Sequence, residues 1–542
     1  MVKSIWNFGD VLDDNATHLG AEDPALIHGD RVVSWPDMSA RANNVARALL
    51  DRGAAPGDKI GFYLRNQPEY IEGLAAAFKA RLTHVNVNYR YLDDELRYII
   101  DNSDSTVVLY ENEFRENVAR ILASLPKVKI WVEIGGGADT PDFAVAYEDL
   151  AASGDGRPLD IERSPDDLMF LYTGGTTGMP KGVMWSHRIW REVSLDGVER
   201  SLGLDLRTWE AHRAFVDQAG RLARQLPACP LMHGTGLFTA LGTMLAGGAI
   251  VTLENKAKFD PKQLWQTAER HGVTAMAIVG DAFAKPMLNV LDSAPGKYDL
   301  SSVASITSSG VMWSHEVKQR LIEHIPQVAL NDSFGASEAV GFGMSVTTAD
   351  GVVETAKFEI GEHCKVFTED GREIAPGSDE PGLIARGGAV PLGYYKDQKK
   401  TAETFKTIDG VRYAIPGDWC LVAEDGTMTL LGRGSNCINS AGEKIYPEEV
   451  EEALKQHDAV RDALVVGVPD DKWGQAVTGV VEFADNATAS EDELKDFVRS
   501  RLAAYKAPKR VLVSEDLKRA PNGKADYKAI RAFAYAQLGI EG

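Results

Sequence analysis

The chain has 542 residues, more than a single hydrophobic core organises, so roughly three to four structural units are expected. Its composition is that of an ordinary globular protein, 44% hydrophobic and 25% charged, without a bilayer-length apolar run or a low-complexity tract. A formal net charge of −21 excludes a broad basic surface and with it a nucleic-acid partner, so an anionic substrate must find a local basic pocket.

The opening residues, MVKSIWNFGDVLDD, carry acids and no apolar core of signal-peptide length, and a cytoplasmic protein is expected. Cys229, Cys364, Cys420 and Cys437 form no C-x-x-C pair, which favours buried free thiols over a zinc site or a disulfide framework. The eleven histidines show no H-E-x-x-H spacing, so metal binding falls to carboxylates, as for a magnesium ion arriving with a nucleotide.

From Trp35 the chain alternates helix-like and strand-like segments: 38–53, 59–64, 69–83, 84–89, 93–104 and 106–110. Apolar strands between amphipathic helices signal βαβ units around a parallel sheet. The rhythm returns over 241–309, so two parallel α/β layers are predicted. After residue 361 the texture becomes short β-rich pieces between turn signals, a small β lobe. The last segment reads as a small α+β domain: Pro447 opens a helix, strands follow at 463–468 and 477–484, and Ser490 with Glu493 forms a capping box. In that last helix Leu494, Phe497, Val498 and Leu502 recur on one face as candidate core. The predicted class is therefore α/β, with a large N-terminal domain over 1–432 and a small C-terminal domain over 433–542.

The stretch LYTGGTTGMPKGV, residues 171–183, has the composition of a phosphate loop. It is not a Walker A loop: counted from Gly175, Pro180 stands at the second glycine position and Gly182 at the hydroxyl position. The lysine is also followed by β-like residues, with Ser186 as a later helix cap, where a Walker loop enters its helix directly. Thr173, Thr176 and Thr177 supply donors, Gly174, Gly175 and Gly178 allow close backbone approach, and Lys181 is a point charge. Read alone, the loop is either a phosphate-holding flap or a Gly-Thr hairpin with a solvated lysine.

Its full wording resembles the signature of the adenylate-forming superfamily, [ST]-[SG]-G-[ST]-[TS]-G-x-P-K-G, shared by acyl-CoA synthetases, luciferases and peptide-synthetase adenylation domains. The resemblance covers nearly the whole chain in the family's order. It implies that PLMHGTG brings His233 to the acyl pocket beside the phosphate site, and that Ser309 and Gly310, in the turn SSG, lie against the adenine. In NDSFGASE it implies that Phe334 stacks on adenine, Asp332 accepts from its amino group, Ser333, Gly335 and Ser337 follow the nucleotide, and Glu338, with Thr176, holds magnesium. Phe334 replaces the commoner tyrosine and Ser337 the usual threonine, which keeps the ring face and the hydroxyl. By the same resemblance Asp418 holds the ribose hydroxyls, Arg433 approaches the nucleotide, and the C-terminal domain is mobile about Ser435, where the family usually has Asp or Lys. Lys524, in RAPNGKADYKAI, matches the adenylation lysine, and the turn Ser440-Ala441-Gly442 would border a pantetheine tunnel.

The activity implied is that of an acyl-CoA synthetase: a carboxylate attacks ATP to give an acyl-adenylate and pyrophosphate, then coenzyme A takes the acyl group and releases AMP. Lys181, Lys524 and Mg²⁺ would offset repulsion between the two anions of the first step. The chain stops soon after Lys524, so free coenzyme A rather than a fused carrier domain is the expected acceptor, with a carrier-protein arm or luciferase-like chemistry as alternatives. Gly335-Ala336-Ser337-Glu338-Ala339 is one residue from G-x-S-x-G, with Asp418 and His457 in permitted order, which keeps open an α/β-hydrolase using Ser337. A nucleotide-binding regulator is a third option. Residues 202–224 with the strands AMAIVG and GVMW are expected to shape the acid site. GVMWSH, IVGDAFAKPM and GRGSNCINSAGEKIYPEEVE look most like bacterial fatty-acid-type ligases, including those acting on steroid side-chain acids, so a hydrophobic monocarboxylate is the expected substrate. Other partners are ATP and coenzyme A, with a homodimer left open.

Overall fold

A computed structural model describes residues 3–173, 179–311, 313–351, 357–433, 436, 438–440, 443–470, 473–502, 504–517, 519 and 525–540. The chain forms two compact units. The first comprises Met1–Gly341, Ser345–Val353 and Gly387–Ala414, and the second Phe342–Met344, Glu354–Arg386 and Ile415–Gly542.

After an N-terminal helix, Phe8–His18, the first unit continues with the strands β1 (Pro24–His28) and β2 (Arg31–Ser34) and the helix α1 (Trp35–Asp51), which Ser34 caps by accepting from the Asp37 amide at 3.2 Å. Next come β3 (Lys59–Tyr63), α2 (Pro68–Lys79), β4 (Thr83–Asn86), α3 (Asp93–Asn102) and β5 (Ser105–Glu111). The strands β6 (Ile130–Ile134), β7 (Val145–Ala146), β8 (Leu168–Thr173) and β9 (Lys181–Ser186) complete this layer. They form a sheet in the order β9-β8-β4-β3-β5-β6-β7, parallel from β8 to β7. The helix α2 is buried along its whole length, which is why PEYIEGLAAAFK is apolar on nearly every side.

The second layer runs from α4 (His187–Leu202) through β10 (Arg224–Pro227), α5 (Gly234–Leu245), β11 (Ala249–Thr252), α6 (Pro261–His271) and β12 (Ala275–Ile278). It continues with β13 (Ser305–Ser309), α7 (His315–His324), β14 (Ala329–Ala336) and β15 (Ala339–Thr347). The strand order is β2-β1-β11-β10-β12-β13-β14-β15, parallel from β1 to β14. Trp265, Met276, Phe283, Ile306, Trp313 and Leu330 share its core. Two α/β layers around parallel sheets are thus present, as the alternation of the sequence predicts.

The chain then makes the short strands β16 (Lys357–Ile360), β17 (Cys364–Phe367) and β18 (Gly382–Gly387) of the second unit. It returns to the first as β19 (Gly393–Tyr394), α8 (Gln398–Thr404), β20 (Phe405–Ile408) and β21 (Val411–Ala414). The strand β19 pairs antiparallel with the free edge of β9, Tyr394 against Val183. Cys229 and Cys420 are buried free thiols, whereas Cys364 is only half-buried.

In the second unit β22 (Asp418–Val422) and β23 (Thr427–Arg433) pair antiparallel. They precede β24 (Ile438–Ser440), β25 (Glu443–Ile445), α9 (Pro447–Lys455), β26 (Val460–Asp470), β27 (Gly474–Phe483), α10 (Glu491–Arg499), β28 (Arg510–Val513) and α11 (Tyr527–Leu538). The sheet runs β25-β24-β27-β26, with β28 parallel on β27. Alternate residues of β26 enter two cores: Ala463 and Val465 pack with α9 and α10, and Leu464, Val466 and Val468 with α11. Burial on both faces is why ALVVGV is continuously apolar. The Ser490–Glu493 capping box forms, and Leu494 and Val498 of α10 are core. Phe497 departs from expectation: it is half-buried at the rim, with the Arg501 guanidinium 3.6 Å from its ring centroid and His457 edge-on at 4.8 Å. Among the described residues no helix is long and apolar enough to cross a membrane.

Candidate active site

The glycine-rich stretch joins two antiparallel strands. The β8–β9 register runs from Leu168 opposite Ser186 to Thr173 opposite Lys181, so the loop leaves and re-enters the sheet at those two residues. Gly174, Gly175, Thr176, Thr177 and Gly178 lie outside the described residues. Ser186 ends β9 and caps α4, accepting from the Ile189 amide at 3.2 Å, so a strand separates Lys181 from the helix. Gly182 lies under the ring of Tyr172, where a Cβ would stand 2.6 Å from ring carbon Cε2. That contact accounts for glycine after the lysine. Tyr172 is fixed in turn by its hydroxyl, which donates to Asn102 at 2.8 Å. The Tyr98 hydroxyl donates to the Pro180 carbonyl at 3.1 Å.

Buried side chains seat the His233 segment against this hairpin. Asn86, at the end of β4, donates to the carbonyls of Tyr172 at 3.0 Å and Met232 at 2.6 Å and accepts from the Tyr172 amide at 2.6 Å. Asn66 donates to Pro227 and Cys229 at 3.0 and 2.9 Å and accepts from the Leu231 amide at 2.7 Å. The Tyr70 hydroxyl lies 3.2 Å from Nε2 of His84, which burial holds neutral with its pKa lowered to about 3. His233 itself is half-buried and stands at the N-cap of α5. The following turn is tight, since a Cβ on Gly236 would come within 2.6 Å of the Pro230 carbonyl oxygen. Asn66, Tyr70 and Asn86 carry no motif; Tyr70 and Asn86 are polar groups at buried helix and strand positions, and Asn66 lies half-buried in the bend between β3 and α2.

The second sheet brings its own strand ends to this edge. β13 and β14 are parallel and in register, Ser308 with Asp332 and Ser309 with Ser333, and Gly310 follows with φ +89°. Ligands of parallel α/β sheets collect at such carboxyl ends. Asp332 and Phe334 share one face of β14 by the strand period. Asp332 is already engaged: Lys318 of α7, 1% exposed, donates to its Oδ2 at 2.6 Å. Burial raises the Asp332 pKa, a rise that Lys318 opposes only in part and to which Asp281 adds. After Gly335 and Ala336, Ser337 and Glu338 lie between β14 and β15, and the Trp185 indole of β9 donates to the Ser337 carbonyl at 3.0 Å. Ser337 therefore stands between two strands and not at the strand-to-helix elbow a hydrolase nucleophile needs.

Glu338 is buried and accepts the Tyr394 hydroxyl at 2.5 Å. Three residues on, Asp397 pairs with Lys181 and also caps α8, accepting from the Lys400 amide at 2.9 Å. Lys181 is the main cause of the lowered Asp397 pKa. The first unit thus gathers Thr173, Lys181, His233, Ser337 and Glu338 around one sheet end, cross-tied by Asn86, Trp185, Tyr394 and Asp397. In the second unit Asp418 is buried, and its backbone is in register with that of Arg433 across β22 and β23. Ser440 ends β24 opposite Glu443. Ser435, Ala441, Gly442 and Lys524 lie outside the described residues.

The model of the AMP-binding enzymes matches residues 12–395, and that of their C-terminal domain residues 449–524. The chain belongs to the AMP-binding enzymes. It is an ATP-dependent, AMP-forming ligase of their acyl-CoA synthetase branch. It is 41% identical to a 3-oxocholest-4-en-26-oate–CoA ligase of Rhodococcus rhodochrous, over 98% of this chain and 96% of that protein. With a medium/long-chain-fatty-acid–CoA/3-oxocholest-4-en-26-oate–CoA ligase of Mycobacterium marinum it shares 41% identity over 93% and 92% of the two chains. Among solved structures, the anthranilate CoA ligase AuaEII in complex with anthranoyl-AMP superposes with a TM-score of 0.83 at 21% identity, covering 98% of each chain, a likeness of fold alone. ATP-bound MatB from Rhodopseudomonas palustris superposes with a TM-score of 0.80 at 25% identity, over 98% of this AMP-binding enzyme and 99% of that chain.

Proposed function

We propose that this AMP-binding enzyme joins a hydrophobic monocarboxylic acid, a medium- to long-chain fatty acid or a steroid side-chain acid, to coenzyme A. The observation that carries the substrate class is 41% identity along 98% of the chain to a ligase named for a steroid carboxylate. The half-buried Phe238, packed on the buried Trp185 and Trp190 at centroid distances of 6.0 and 5.8 Å, offers an apolar ring beside β9 that suits such an acid.

In this reading the loop 174–178, Thr173 and Lys181 hold the triphosphate, and the phosphates take Lys181 from Asp397. Phe334 stacks on adenine, Asp332 accepts from its amino group, and Ser309, Gly310, Ser333 and Gly335 border it. Asp418 binds the ribose hydroxyls and Arg433 approaches the nucleotide. One Glu338 oxygen takes the Tyr394 hydroxyl. The other, with Thr176, suits a hard cation, and Mg²⁺ there would offset phosphate charge. His233 faces the acid. The carboxylate oxygen forms its bond to the α-phosphorus as the bond to pyrophosphate breaks, with Lys181 and Lys524 stabilising the charge. The thiol of coenzyme A, passing the 440–442 turn, then attacks the acyl carbon and AMP leaves. For this second step Lys524 withdraws by rotation of the C-terminal domain, 433–542, about Ser435.

The test is pyrophosphate release with a panel of acids, followed by thioester formation. Lys524→Ala should abolish adenylate formation yet spare thioester formation from supplied acyl-AMP, and Ser435→Pro should do the reverse. An overall rate untouched by Ser435→Pro refutes the rotation, and acetate preferred over fatty and steroid acids refutes the substrate class.

A further inference from the structure

We propose that Lys318, which belongs to no nucleotide motif, sets base selectivity by holding Asp332 as an ionised, acceptor-only carboxylate toward the purine 6-position. This rests on the reading of Asp332 as the adenine acceptor. The purine 6-substituent separates the bases: adenine offers an amino donor there, and hypoxanthine and guanine a carbonyl acceptor. A carboxylate accepts only, whereas a carboxylic acid also donates and would tolerate a carbonyl.

Burial by itself moves Asp332 toward that ambiguous protonated form. Lys318 opposes it from one helical turn into α7, with a side chain 1% exposed and its ammonium 2.6 Å from Oδ2. The other nearby carboxylate, Asp281, is otherwise occupied. Its Oδ1 accepts the amide and hydroxyl of Ser314 at 3.0 and 3.2 Å, and its Oδ2 lies 3.3 Å from Lys285. The Lys318 charge therefore serves Asp332. The ammonium takes Oδ2, which leaves Oδ1 as the acceptor for the base. The pair is neutral overall, so a neutral purine can stack beside it without meeting an uncompensated charge.

Equilibrium titration of the full-length enzyme with Mg²⁺-ATP and Mg²⁺-ITP tests this without knowledge of the acid, since inosine replaces the 6-amino group by a carbonyl. Lys318→Met keeps the length of the side chain and removes its charge. It is expected to shrink the ratio of ATP to ITP affinity by about tenfold, as loss of a charge-assisted contact would. Lys318→Arg should keep the ratio, and coenzyme A affinity should stay as in the parent for both variants. A folded Lys318→Met variant with the parental ratio overturns the proposal. Should that variant unfold, Lys318→Met/Asp332→Asn carries the test, because it leaves no buried carboxylate without a counter-ion. Its amide can turn oxygen or nitrogen to the base, so selectivity should fall, and a parental ratio again overturns the proposal. Asp332→Ala separates the two levels. Unchanged ATP affinity there shows that the base lies elsewhere and sinks the underlying reading, while weakened ATP affinity beside an unmoved ratio in Lys318→Met sinks only the role of Lys318.

Discussion

Asn86→Ala tests whether the phosphate hairpin is held in place from outside its own motif. The amide of Asn86 makes three buried hydrogen bonds: one to the Met232 carbonyl, at 2.6 Å, and two to the backbone of Tyr172, at 3.0 and 2.6 Å. Each is worth about 1 kcal/mol net, so truncation should loosen the end of β8 by about 3 kcal/mol, roughly a hundredfold in the local opening equilibrium. Hydrogen exchange of the peptide containing Tyr172 reads this directly, because that amide donates to Asn86 itself. The catalytic readout is kcat/KM for ATP, expected to fall at least tenfold as Thr173 and the His233 segment lose their common anchor. If protection at Tyr172 drops less than about threefold and kcat/KM stays within twofold, the cross-tie does not position the site and the reasoning fails.

Asp397→Asn keeps a good helix cap on α8 but removes the charge facing Lys181; as Lys181 is 40% exposed, the pair is worth at most about 1 kcal/mol, and KM for ATP should fall no more than about fivefold in steady-state kinetics. His84, His187 and His212 are buried and neutral, each with its pKa lowered to about 3 mainly by burial. The unfolded chain takes up protons on them below about pH 6.5 while the folded chain does not, so stability is full above that pH and falls with acidification toward 3. Each costs about 1.4 kcal/mol at a pH one unit below its unfolded value, and His187→Gln should flatten its share of the slope in denaturation followed from pH 7 to 5.

The α/β rhythm was legible because its signals are local. The alternation of apolar strands with amphipathic helices, the Ser490–Glu493 box and the β-like GVMWSH after Lys181 depend on neighbours a few residues away, and all appear in the structure. Phe497 shows the limit of that logic: helical period put it on the core side, yet Arg501 and His457 stop it at the rim. The residues that tie the site together carried no such signal. Asn86 finds its partner carbonyl 146 residues away, Tyr394 reaches Glu338 across 56, and Lys181 meets Asp397 across 216. Lys318 and Asp332 are only 14 apart but sit on a helix and a strand whose packing no period encodes. Cys364, expected to be buried, lies on β17 among short strands where burial depends on what covers them, and it is half-exposed.

The short strand β19 has a consequence for how the enzyme comes into being. It adds to the edge of β9, and its Tyr394 fastens Glu338, with Asp397 meeting Lys181 just beyond. Three stretches far apart in the chain come together there, and contacts of such long sequence separation form slowly in folding. On the ribosome, the glycine-rich stretch emerges more than two hundred residues before Asp397. A nascent chain halted after β15 and before β19 would hold every parallel strand of both sheets while the edge of β9 and the Glu338 carboxylate still lacked Tyr394.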